Sequence, residues 1–189
     1  MIRYMNQTQQ NLLKAFAGES QARNKYTIFA KVAKREGLEW IGRVFEETAD
    51  NERAHAEELF ELISDTVKTI GDLSIKTFKK TSDNLKMAAE GEKYEWTTMY
   101  PDFEKIAIEE KEGKAAQLFG ALKFVEEKHE ERYIIIARKL DNKTLYDGET
   151  ELEWKCVNCG NIYKGKKPPL NCPVCKKAFT WYMPLGLVR

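Results

Sequence analysis

The strongest constraint on this chain is a pair of charged interruptions inside otherwise apolar helical seams. One seam runs Ile41, Phe45, Thr48, Glu52, His55, Leu59, Leu62. A second runs Ala115, Phe119, Leu122, Glu126, His129, Tyr133, Ile136, Leu140. Alternating steps of four and three put each series on one helix face, the stripe that normally packs into a core. Each seam carries a Glu-x-x-His at its middle, and these two histidines are the only ones in the chain. An unpaired charge in such a seam costs several kcal/mol. Either both helices turn these residues to water, or the residues share a common counter-charge. Only the second option explains why the interruptions fall at mid-helix.

Two further helical stretches carry glutamates. In the first, Leu12, Phe16, Glu19, Tyr26 and Ala33 recur at helical spacing. The other is predicted to begin near Glu90, with Glu92, Glu95 and Met99 on one side and Pro101 kinking or restarting it. Short joins at Arg35-Glu36-Gly37 and Glu112-Gly113 make two hairpins, and a polar stretch over about 65–90 makes a long crossover. The fold expected is an all-α four-helix bundle with one long crossover. The halves read as a weak internal repeat: Gly18-Glu19 with Tyr26 answers Gly91-Glu92 with Tyr100.

One Glu from each of two helices, with Glu-x-x-His from each of the other two, is the donor set of ferritin-like di-iron carboxylate proteins. Glu19 and Glu92 fill the first role; Glu52/His55 and Glu126/His129 fill the second. Two iron ions carry about four to six positive charges, so several carboxylates are needed to offset their burial, and imidazole suits iron in either oxidation state. The alternative is a charged coiled coil with His55 and His129 on its rim. Glu95 breaks the repeat, because the residue three after Glu19 is Ala22. It is an extra ligand candidate that makes the site asymmetric. Tyr26, Tyr100 and Tyr133 are candidates for hydrogen bonds to the ligands, against plain core packing.

The C-terminal segment has its own signature. Cys156, Cys159, Cys172 and Cys175 form two C-x-x-C pairs with twelve residues between them. Such knuckles make a tetrahedral four-thiolate site that iron or zinc can fill. Gly160, Pro173 and the surrounding Trp154, Tyr163, Phe179 and Trp181 suit a small rubredoxin-like core, and a redox bundle beside it favours iron as an electron carrier. The expected domains are 1–146 and 151–189.

With all four cysteines in those knuckles, no disulfide framework is left and a reducing cytoplasm is the default. The N-terminus shows no signal-peptide core, and no run of about 18 apolar residues suggests a membrane span. Formal charge is +1 overall, with +5 over 151–189 and −4 over 1–150. That balance favours neither nucleic acid nor membrane as a partner, although a zinc-ribbon module touching nucleic acid through the basic tail is a competing reading.

Taken together, the segments AFAGESQARNKYTIFAKVAKREG, ERAHAEEL, EGEKYEWTTMYPDF and EEKHEERY, followed by the cysteine knuckles, resemble the rubrerythrin family over essentially the whole chain. The resemblance implies a di-iron site at Glu19, Glu52, His55, Glu92, Glu95, Glu126 and His129. Glu52 and Glu126 would bridge the irons, and His55 and Glu95 would exchange at one of them. It also implies a mononuclear iron on Cys156, Cys159, Cys172 and Cys175. The activity implied is peroxidase: hydrogen peroxide reduced to water in oxidative-stress defence, with electrons from NAD(P)H through a reductase or rubredoxin. Tyr26 and Tyr100 are candidate proton donors, and Glu95 and His55 candidate catalytic groups. A cytoplasmic homodimer or higher homo-oligomer is expected. An iron-storage protein of ferritin type is the other alternative, but it gives no reason for a four-cysteine tail.

Overall fold

The computed structural model describes residues 6–63 and 80–186. Helix α1 spans Gln7–Arg35, α2 Glu39–Leu62, α3 Thr81–Tyr94, α4 Tyr100–Glu109 and α5 Gly113–Asp141; a five-residue π-helical segment, Glu95–Met99, joins α3 to α4. α1 starts where the Asn6 side chain accepts from the Gln9 N–H at 2.9 Å. It ends at Gly37, whose φ of +75° lets the Leu38 N–H reach back to the Ala33 carbonyl at 2.9 Å. α2 then returns along α1.

The second hairpin repeats this plan with two departures from expectation and one expectation met. α3 begins at Thr81, not near Glu90, so part of the expected crossover is helix; the crossover stretch itself, 64–79, lies outside the described residues. The turn into α5 is closed by Lys111, at φ +62°, with Glu112 N–H bonding to the Ala107 carbonyl at 2.8 Å, so Gly113 is simply the first residue of α5. Pro101 does restart the helix: it falls in the first turn of α4, where its missing N–H costs little, and the π segment lies just before it.

The apolar core is split in two. Tyr26, Phe29, Trp40, Ile41, Phe45, Leu85, Tyr133 and Ile136 belong to one cluster; Leu12, Leu59, Tyr100, Phe119 and Leu122 belong to another. The seam glutamates and histidines come from the stretches of sequence between these clusters.

The C-terminal unit is a three-stranded antiparallel sheet, β1 Leu152–Cys156, β2 Ile162–Gly165 and β3 Tyr182–Pro184, in order β2-β1-β3. It packs on the end of the bundle. The Tyr146 ring meets Phe179 edge-on at 4.9 Å, and Val157 and Met183 pack on the cluster containing Trp40 and Leu145.

Candidate metal centres

All four long helical rods contribute to one buried layer. Glu19 comes from α1, Glu52 and His55 from α2, Glu92 from α3, and Glu126 and His129 from α5. The spacing that put Glu52 and His55 in one seam brings the His55 Nδ1 to 2.9 Å from Glu52, 3.2 Å from Glu126 and 3.7 Å from Glu19. The other histidine mirrors it: His129 Nδ1 lies 2.8 Å from Glu126, 3.5 Å from Glu52 and 3.8 Å from Glu92. The rings are nearly parallel, 24° apart, with centroids 6.1 Å from one another.

These donors form two overlapping groups, Glu19/Glu52/His55/Glu126 and Glu52/Glu92/Glu126/His129, within each of which the donor atoms lie no more than 4.8 Å apart. Glu52 and Glu126 belong to both, as residues shared by two adjacent ions must. The hydrogen-bond inventory fits cations as well. Glu19 Oε2, Glu92 Oε2, both oxygens of Glu52 and Glu126, and both Nδ1 atoms are buried without a hydrogen-bond partner among the described residues. Leaving so many buried acceptors unpaired is costly, and metal ions are what such lone pairs take.

Protons alone satisfy the layer poorly. Burial raises the Glu19 carboxyl to about 7 against the opposing pull of His55, and burial with neighbouring carboxylates raises Glu92 and, more strongly, Glu126. Burial also raises Glu52, but the two facing imidazoles outweigh it and bring that carboxyl down to about 2. The same carboxylates overcome burial at the rings, lifting His55 to about 10 and His129 to about 12. The layer thus holds more acid than its two imidazoles can neutralise.

Two tyrosines brace the layer crosswise. Tyr26 on α1 donates to Glu92 Oε1 on α3, and Tyr100 at the start of α4 donates to Glu19 Oε1 on α1. Burial first, then these carboxylates, holds both hydroxyls well above the usual tyrosine range, so each keeps its proton. Tyr133 is buried in the aromatic cluster, and its hydroxyl has no partner among the described residues.

Glu95 lies outside both donor groups, on the π segment. Burial and then the charges of Glu19, Glu92, Glu126 and Glu52 raise its carboxyl well above the ordinary value, which puts it within the field of the cage. The π turn also explains the repeat. Tyr26 follows Glu19 by seven residues, whereas Tyr100 follows Glu92 by eight. A π turn carries one extra residue, so both tyrosines still land on the layer.

Sequence reasoning missed four contacts here. Asn51 lies 3.2 Å from His129 Nε2, the Trp96 indole donates to Glu130, and Arg132 bonds to Thr48 and Glu47. Their only sequence signal is proximity to the ligand motifs. A surface cleft of about 350 Å³, lined by Glu47, Asn51, Val125, Lys128, His129 and Arg132, reaches the layer at His129.

The four cysteines converge as the spacing predicted. Cys156 and Cys175 sulfurs are 3.7 Å apart, and Cys159 and Cys172 sulfurs 3.6 Å. A tetrahedron of metal–sulfur bonds near 2.3 Å requires about 3.8 Å between sulfurs. Gly160 (φ +78°) and Lys176 (φ +62°) close the two knuckles, with their N–H groups bonded to the carbonyls of Cys156 and Cys172. Burial pushes the Cys172 thiol up, but the Cys175 and Val174 N–H groups and the Tyr182 hydroxyl outweigh it and bring the thiol to about 6, towards the thiolate a metal needs.

A duplicated cage for two metal ions beside a four-thiolate site defines a carboxylate di-iron protein with a rubredoxin-like appendage. Comparison with known proteins agrees. The rubrerythrin family profile matches residues 10–136, and the profile "Rubrerythrin, rubredoxin-like domain" matches 154–178. Rubrerythrin-1 of Clostridium acetobutylicum is 41% identical over 173 residues, covering 89% of both chains. Rubrerythrin of Nitratidesulfovibrio vulgaris is 38% identical, covering 96% of both. The structure of fully reduced nigerythrin superposes with a TM-score of 0.66 at 32% identity, covering 97% of this chain and 89% of that one. The chain belongs to the rubrerythrin family. Its cofactors are those of the family's two domains, a di-iron centre and a thiolate-bound iron, and the carboxylate and histidine groups are placed to bind the first. Among the described residues no helix is long and apolar enough to cross a membrane.

Proposed function

We propose that this protein is a peroxidase that reduces hydrogen peroxide to two waters, consuming two electrons and two protons. The observation that carries the reading is the sharing of Glu52 and Glu126 between two histidine-capped donor groups, braced by two protonated tyrosines. In this reading Glu19, Glu52, His55, Glu92, Glu95, Glu126 and His129 hold the di-iron centre, and Cys156, Cys159, Cys172 and Cys175 hold the single iron. When bound, the paired irons supply the two electrons that break the O–O bond.

The chain's own groups do the rest. Tyr26 Oη and Tyr100 Oη each hold a proton against Glu92 and Glu19, and those protons are available where oxygen charge develops. Glu95 and His55 would be the alternative ligands of one iron when the centre is loaded. The cleft at His129 admits a small polar substrate.

Cys156, Cys159, Cys172 and Cys175 would hold a one-electron iron suited to receive electrons from a rubredoxin or reductase drawing on NAD(P)H. In the chain's own fold the cysteine unit packs at the Trp40 end of α2, about 18 Å along the helix from Glu52 at 1.5 Å per residue. That separation supports a homodimer or larger homo-oligomer in which the thiolate iron of one copy serves the cage of another. The reading treats 1–146 and 151–189 as separate units and places the protein in the cytoplasm.

The test is a reduced, iron-loaded chain mixed with one equivalent of hydrogen peroxide. One peroxide should oxidise the two cage irons in the intact protein and in Cys156→Ser/Cys159→Ser, while multiple turnovers from reduced rubredoxin should stop only in the variant. Peroxide left unconsumed, with iron accumulating far beyond three per chain, would favour storage instead.

A further inference from the structure

Asn51 and its counterpart in the repeat point to a device that makes the two histidines unequal. Each Nδ1 faces the carboxylate cage, and whichever species fills the cage, proton or metal ion, takes the lone pair there. The remaining ring hydrogen is then on Nε2, which must donate. For His129 the structure sets the Asn51 amide against the ring, with Nδ2 3.2 Å from Nε2. Two N–H groups cannot bond to each other. The amide must therefore present Oδ1 to the ring, with its NH₂ turned away, since the two ends of an amide are interchangeable by rotation about χ2.

The other hairpin offers no such acceptor. Glu52 and Glu126, like His55 and His129, are 74 residues apart, so the counterpart of Asn51 is Val125. Valine has no hydrogen-bonding side chain, so Val125 cannot do for His55 what Asn51 does for His129. One ring gains a hold at Nε2 that the repeat does not give its mate.

We propose that Asn51 is a positioning residue. It accepts the Nε2 hydrogen of His129, fixes that ring as the permanent ligand, and by its absence from the other hairpin leaves His55 as the ring free to leave the metal. This rests on the metal-site reading above, but extends it to a residue that no ligand motif contains. Second partners of ligating histidines fix ring orientation, and losing one typically costs about 10–100-fold in metal affinity.

With only two histidines, the ¹⁵N-histidine spectrum of the full chain contains two rings. The Zn(II)-loaded protein, being diamagnetic, allows the Nε2–H of each to be seen. His129 should show a slowly exchanging Nε2–H and His55 a rapidly exchanging one. Asn51→Leu should abolish the slow signal and weaken one of the two cage zinc sites about tenfold. Asn51→Asp should keep it, because an aspartate only accepts; Val125→Asn should slow exchange at His55.

An unchanged slow signal in Asn51→Leu overturns the proposal, as does its loss in Asn51→Asp, which would mean that the amide donates to the ring. Failure of the underlying site reading looks different: fewer than two zinc ions bind outside the four cysteines.

Discussion

The hairpins α1–α2 and α3–α5 carry nearly the same half-cage, and they differ at a few identifiable positions. Tyr26, Gly37, Glu52 and His55 precede Tyr100, Lys111, Glu126 and His129 by 74 residues, while Glu19 precedes Glu92 by 73. The whole one-residue discrepancy is therefore confined between Glu92 and Tyr100, where the π segment lies. The shared positions are those that neutralise two ions. The departures are the added carboxylate Glu95 opposite Ala22, the amide Asn51 opposite Val125, and the left-handed Lys111 opposite Gly37. The shared positions suffice for a symmetric pair of donor groups, and the departures make the surroundings of the two groups unequal.

The largest expected effect comes from breaking what both halves share. Glu52→Ala or Glu126→Ala should cost both cage irons together, leaving one iron per chain by metal analysis, because each carboxylate serves both groups. Loss of a single iron would show that the halves are independent sites.

Metal removal should invert the pH response of the bundle. In the metal-free protein, Glu19 is raised to about 7, so its stabilising contribution, present below the ordinary carboxyl value, is lost as pH rises through 7. His55, raised to about 10, contributes fully below its ordinary value and loses that contribution through 10. Within the layer Glu52, lowered to about 2, runs the other way, and its contribution is lost as pH falls towards 2. The metal-free Tm should therefore fall between about pH 6 and pH 9, whereas metal binding, which releases protons, should hold or raise it. Parallel Tm curves with and without metal would mean that the ions do not sit in this layer.

Glu95→Ala makes the second half like the first. Iron should stay bound, while peroxidase turnover falls by about tenfold or more, a loss of about 1.4 kcal/mol in barrier terms. An unchanged rate would remove Glu95 from the cycle. The smallest effect concerns the turns. Lys111→Gly should raise stability by about 1 kcal/mol, because glycine adopts the left-handed conformation without the steric cost a side chain meets. A neutral or lower Tm would show that Lys111 makes a compensating contact.

Much of this was legible from the chain. The four-and-three seams fixed which faces of α2 and α5 turn inward, and the mid-helix charges located the layer, because burying them is intolerable without counter-ions. The cysteine spacing was equally direct, since knuckle geometry is local. The start of α3 was not legible, because Thr81 to Ala89 mixes polar residues with a weak apolar period that reads as loop. Lys111 was hidden because lysine carries no signal for a left-handed turn; Lys176, closing the second cysteine knuckle opposite Gly160, was hidden in the same way. The π segment was present only as an eight-residue spacing where seven was expected. Asn51 could not be found from sequence, because its role depends on which ring of a neighbouring helix it meets.

The central claim is that the two hairpins hold one ion each and share two carboxylates. Anomalous diffraction at the iron edge from crystals of the iron-loaded protein tests it most directly. The account predicts two peaks in the layer, one beside the His55 group and one beside His129, with Glu52 and Glu126 between them, and a third peak among the four cysteines. A single peak in the layer, or two peaks that do not have Glu52 and Glu126 in common, would contradict it.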